Sequence, residues 1–203
     1  MNDNEIEYFQ EEEVIDYPYS IKFMEKKVEE IYKNNCKEFL WFLEHDNIYT
    51  AGTSAKPEDL IEKNKFKVYE SSRGGQYTYH GPGQKIIYLM LNLRKKGYDI
   101  RKFITLIEEW IIISLQDIGV KGINDKDHVG IWVEDKNTLK KISSIGLRVR
   151  KGITFHGVSI NMNPNLENFK GINPCGNNPN DVTSFEAVSY THLRAHETPE
   201  HLV

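Results

Sequence analysis

The sequence predicts an α+β fold: one domain of mixed sheets with packed helices. Three observations predict it. A chain of 203 residues, 39% hydrophobic and 28% charged, has the length and composition of one globular domain with a sizeable core. Only two segments carry helical periodicity, while several short apolar runs have strand length. The two kinds are mixed irregularly, without the βαβ alternation of a parallel sheet, and neither a repeat nor a linker interrupts them.

The elements follow in order. Ile21, Met24, Val28 and Ile31 recur at three- and four-residue steps, predicting a helix over Tyr19–Tyr32. Pro18 suits its first turn and Asn34-Asn35 its end. The aromatic run Phe39–Leu43 predicts a buried strand. His45-Asp46-Asn47 turns the chain, and Ile48-Tyr49-Thr50 resumes a strand. Phe66–Glu70 reads as a strand running into the Arg73-Gly74-Gly75 turn. Gln84–Leu93 reads as a buried strand. Phe103, Ile104, Ile107, Ile111 and Leu115 predict a helix over Ile100–Ile118, stopped by Gly119. Short strands are expected at Gly130–Val133, Lys141–Leu147 and Thr154–Asn161, and mostly loop from Asn161 to Asn180. From Glu186 the composition shifts; residues 1–185 read as the domain and 186–203 as an atypical tail, not native to the protein. His192 and His196 in it have helical spacing but no further ligands to complete a metal site.

Composition excludes several classes. A net charge of -4 argues against a nucleic-acid binder. Cys36 and Cys175 lie far apart without a CxxC pattern, which fits free thiols in a reducing compartment. The acidic opening MNDNEIEYFQEEE has no secretory character, and the longest apolar stretch falls far short of a membrane span. A cytoplasmic protein, without membrane or nucleic-acid partners, is expected.

Four segments carry chemistry. RGGQYTYHGPGQ, from Arg73 to Gln84, has glycines that let backbone approach a ligand closely; a tight hairpin is the alternative. It is neither a P-loop nor GxGxxG. In Lys140-Lys141-Ile142-Ser143-Ser144-Ile145-Gly146, a lysine opening an apolar strand either snorkels to solvent or, partly buried, serves as a base. Asn173-Pro174-Cys175-Gly176 sets a thiol on a constrained turn, as a nucleophile or an ordinary free thiol. His156, beside Phe155, is a partner for Cys175 or a structural group.

Together, RGGQYTYHGPGQ, KISSIGLRVRKGITFHGVSIN and INPCG resemble the octanoyltransferase family of lipoate biosynthesis. The likeness runs from about Tyr17 to Phe185, including Leu43-Glu44-His45 and Tyr49-Thr50-Ala51-Gly52. The resemblance implies a fold similar to the catalytic domain of biotin and lipoate protein ligases, Cys175 as nucleophile and Lys141 as its activator. It implies substrate-binding residues Arg73, Gly74, Gly75, Gln76, Tyr77, Thr78, Tyr79 and His80; Ser144, Ile145 and Gly146; and Gly157, Val158 and Ser159, with no metal and no cofactor. Octanoyl-acyl carrier protein is the implied donor. Lipoyl domains of 2-oxoacid dehydrogenase E2 subunits and the glycine-cleavage H protein are the implied acceptors. The sequence departs from the family at Asp46-Asn47, where a proline-rich turn is usual, and in the tail.

The expected chemistry is ping-pong: thioester to Cys175 thioester to lysine amide. Lys141 acts as a neutral base or as a cation favouring thiolate, and the sequence leaves both open. An acidic carrier needs a local basic patch, from Arg94-Lys95-Lys96 with Arg101-Lys102 or from Arg148, Arg150 and Lys151. The rival readings are an ATP-dependent ligase, a cysteine hydrolase using His80 or His156, and a non-catalytic lipoyl-domain binder.

Overall fold

A computed structural model of the chain describes residues 6–125, 128–135, 138–174 and 178–189. Among these, seven strands form the larger sheet: β1 (Glu7–Val14), β2 (Phe39–Glu44), β6 (Gln84–Met90), β10 (Ile153–Asn161), β9 (Thr138–Arg150), β8 (Ile131–Asp135) and β7 (Gly122–Asn124), in that spatial order. Only β1 and β2 pair in parallel; the other neighbours are antiparallel. A smaller sheet sets β3 (Ile48–Ala51) between β4 (Lys67–Glu70), parallel to it, and β5 (Tyr77–His80), antiparallel.

Side-chain alternation along β6 explains the layering. Ile86, Tyr88 and Met90 meet Met24, Val28 and Ile31 of helix α1 (Tyr17–Tyr32) in one cluster. Ile87 and Leu89 meet Phe103, Ile107, Ile111 and Leu115 of helix α3 (Ile100–Asp117) in another. The larger sheet is therefore sandwiched, and its central strands are apolar on both faces. The smaller sheet packs Tyr49, Tyr77 and Tyr79 against Phe169, Ile172 and Val182 in a third cluster.

Helix α1 starts two residues earlier than its periodicity indicates. Asp16 caps it by accepting from the Tyr19 amide, and Pro18 sits in the first turn, where its missing N–H costs nothing. The strand expected to reach Leu93 ends at Met90. Asn92 accepts from the Lys95 amide and caps the short helix α2 (Leu93–Lys96), which Gly97 closes in a left-handed conformation. The expected loop 161–180 contains a 3-10 segment, Leu166–Gly171, whose Phe169 is core. Residues 190–203 of the tail, including His192 and His196, lie outside the described residues.

Candidate active site

Strand β5 divides its side chains between two tasks. Tyr77 and Tyr79 turn into the aromatic cluster of the smaller sheet, while Thr78 and His80 face a pocket between that sheet and the larger one. Tyr79 donates to Asn47 Oδ1 at 2.5 Å, and neither residue lines the pocket. Gln76 contributes its carbonyl, which accepts from Arg73, and its side-chain Oε1 is buried without a partner among the described residues.

The pocket holds about 480 Å³ of space between atoms, part of it open to solvent. The glycine-rich turn (Arg73, Gly74, Gly75), β9 (Ser144, Ile145, Gly146) and β10 (Gly157, Val158, Ser159) wall it. Its mouth is at Gly74, Gly75 and Ser144–Gly146, which are partly or fully exposed. Its far end is closed by Tyr17, Ile86, Tyr88 and His156, all at most 5% exposed. Ile86 and Tyr88 were legible only as strand core, and Tyr17 as the residue before a helix-starting proline; no local motif marks them as pocket residues.

Arg73 is buried and pins this architecture. Its Nη2 donates to Thr50 O and Gln76 O, both at 2.8 Å, and to Thr50 Oγ1 at 2.9 Å. The Gly74 amide donates to Leu147 O at 3.2 Å, laying the turn on β9. A side chain on Gly146 would start 3.0 Å from Arg73 Cδ, and one on Gly52 would start 2.3 Å from Gly75 O.

The histidines here are neutral. Burial pushes His80 down to about 3, with His45 close by adding to the shift. Burial takes His156 to about 3, with Arg73 and Arg148 contributing, and His45 to about 4. His45 Nδ1 lies 2.6 Å from the Ile15 carbonyl, so that nitrogen carries the proton and Nε2 accepts from the Tyr88 hydroxyl at 2.7 Å. Burial raises Tyr88 and Tyr17, which stay protonated. His156 adopts φ +65° in mid-strand, a strained conformation, and its Nε2 is 3.2 Å from Ser72 Oγ.

Lys141 lies on β9, at 6% exposure, on the strand that carries Ser144–Gly146 to the mouth. Its Nζ donates to Val129 O at 3.1 Å. Lys140 turns the other way and pairs with Asp135 at 2.9 Å. Cys175 and Gly176 lie outside the described residues. The chain before them is held where Asn173 donates from its amide to Asp59 O, at 2.8 Å. The chain after them runs beside Lys141: Val182 bridges to Lys141, and the Thr183 amide donates to Lys141 O at 3.0 Å. Among the described residues no group of three His, Cys, Asp or Glu is arranged to hold a metal, and no helix is long and apolar enough to cross a membrane.

Comparison with known proteins places this geometry. A family model described as lipoyl protein ligase A/B catalytic domain matches residues 16–203. The octanoyltransferase of Bartonella quintana (strain Toulouse) is 48% identical over 187 residues, 88% of this chain and 76% of that protein. The octanoyltransferase of Zymomonas mobilis subsp. mobilis is 47% identical over 183 residues, 90% of this chain and 85% of that one. A solved structure from Thermoplasma acidophilum, reported as a bi-partite lipoate protein ligase and its E2 lipoyl domain, superposes with a TM-score of 0.59 over 93% of this chain and 80% of that one. At 16% identity that likeness speaks for the fold alone.

Proposed function

Because the chain belongs to the lipoyl protein ligase A/B catalytic domain family, we propose that it is an octanoyltransferase acting from octanoyl-acyl carrier protein onto the lysine of lipoyl domains. The acceptors are the lipoyl domains of 2-oxoacid dehydrogenase E2 subunits and the glycine-cleavage H protein. The observation that carries this reading is the pocket: its far end is closed by Tyr17, Ile86, Tyr88 and His156, and its mouth lies on the strand that bears Lys141.

Cys175 thiolate attacks the octanoyl carbonyl. A C–S bond forms to the enzyme, the carrier C–S bond breaks, and the carrier leaves as its thiolate. The ε-amine of the acceptor lysine then attacks the acyl-enzyme; an amide forms, the bond to Cys175 breaks, and the amine's proton is released. Thioester energy drives both steps, so no nucleotide is consumed. The octanoyl chain enters the pocket, where each buried methylene contributes about 0.8 kcal/mol and the closed end makes chain length readable. A reducing cytoplasm keeps Cys175 as a thiol.

The depressed histidines argue against a hydrolase using His80 or His156, since a base with a pKa of about 3 takes up protons poorly at neutral pH. Of the two basic clusters, Arg150 pairs with Glu25 and Lys151 with Glu29 on α1. In the other, Lys96 pairs with Glu38, and we take Arg94-Lys95-Lys96 with Arg101-Lys102 as the docking patch proposed for an acidic carrier.

The test is intact mass after mixing the protein with octanoyl-carrier protein. An octanoyl adduct is expected on wild type and not on Cys175→Ser, and adding a lipoyl domain should discharge it. A wild type that stays unmodified, or an adduct that persists in Cys175→Ser, overturns the assignment.

A further inference from the structure

We infer that Trp132 and Glu108 are positioning residues that seat the Lys141 amino group as an ammonium ion. Trp132 and Lys141 face one another across β8 and β9, and Lys141 Nζ stands 4.7 Å from the indole centroid. A carbonyl such as Val129 O accepts from either form of an amine, but the negative face of an indole attracts only the cation. The ring is itself fixed: Trp132 Nε1 donates to His128 O at 3.1 Å, and the His128 ring stands edge-on 6.0 Å away.

Glu108 secures the other half of the seat. It projects from α3 at 7% exposure, and its Oε1 accepts from the Gly130 amide at 3.2 Å. Gly130 has φ +121°, and a side chain there would start 2.6 Å from Ser143 O. This bond therefore holds a turn that only glycine tolerates, and the turn presents Val129 O to Lys141. Among the described residues, the charged and titratable groups around the seat include Glu108 from α3 and His128 with its partner Asp125 from the loop before β8.

This rests on the proposed Lys141–Cys175 pairing, in which a seated cation favours the thiolate. The test is the pH dependence of Cys175 alkylation by iodoacetamide, resolved from Cys36 by peptide mass mapping. Trp132→Phe keeps an aromatic face and should titrate close to wild type. Trp132→Leu should move the thiol titration up by roughly half to one pH unit, about 3- to 10-fold slower alkylation near neutrality. Glu108→Ala should shift it in the same direction, while Glu108→Gln, which retains an acceptor oxygen, should not. If Lys141→Ala shifts the titration but Trp132→Leu and Glu108→Ala do not, the seat is refuted and the octanoyl-transfer reading stands. If Lys141→Ala titrates like wild type, the pairing fails and the seat's proposed role falls with it.

Discussion

His45, His80 and His156 are buried, which disfavours a charge on any of them; the His45 and His80 rings are 5.9 Å apart, and Arg73 acts further on His80 and His156. Their folded pKa values, about 4 for His45 and about 3 for His80 and His156, lie below the unfolded value near 6.5. Below pH 6.5 the unfolded chain therefore binds more protons than the native one. Their contribution to stability is full above about pH 6.5 and falls as the pH drops toward the folded values. At pH 5 each histidine costs about 2 kcal/mol relative to neutral pH. Urea denaturation between pH 5 and 7.5 should show stability rising with pH, and His45→Gln should reduce that slope by about one proton. An unchanged slope in the variant would mean that His45 is not held neutral.

At the scale of elements, the centre of the larger sheet is built around close approach. A side chain on Gly157 would start 1.8 Å from Ile87 O, inside the β6–β10 pairing itself. Gly157→Ala must push those strands apart, so it should cost about 3 kcal/mol or more. Gly119, after α3, has φ +83° but open space around it, so Gly119→Ala should cost only about 1–2 kcal/mol of backbone strain. Thermal melts of the two variants test the contrast. These elements also show what a sequence discloses. Helices α1 and α3 were legible because each buries one face, a pattern that repeats along the chain. Strand β5 was not, since its glycine-rich flanks read as loop while its pairing with β3 is a tertiary property. Strand β1, EYFQEEEV, is exposed at nearly every position and holds no periodic apolar face to read; its parallel pairing with β2 makes it a strand. At the site, glycine spacing located the pocket mouth, but Tyr17, Ile86 and Tyr88 reach its closed end only through packing.

Across the whole molecule, one polar chain joins the pocket to the segment that follows Asn178. The Thr183 carbonyl only accepts, so Asn161 must offer it Nδ2, at 2.9 Å. Asn161 Oδ1 then faces Gln84 Nε2 at 2.8 Å, and Gln84 Oε1 faces His80 Nδ1 at 2.7 Å. His80 therefore carries its proton on Nδ1, and a backbone carbonyl three hydrogen bonds away sets that tautomer. The same Thr183 donates its amide to Lys141 O, so the chain ties the pocket wall to the lysine strand. Asn161→Asp keeps the shape but replaces the donor facing Thr183 with a second acceptor. Asn161 is 5% exposed, and a carboxyl buried there against a carbonyl takes up a proton more readily than in water. The protonated acid donates to Thr183 as the amide did; the carboxylate repels it. Octanoyl transfer by Asn161→Asp should therefore fall further below wild type at pH 8 than at pH 6, with stability at pH 8 lower by about 1–3 kcal/mol. A variant that tracks wild type at both pH values would show that this chain of hydrogen bonds does not order the site.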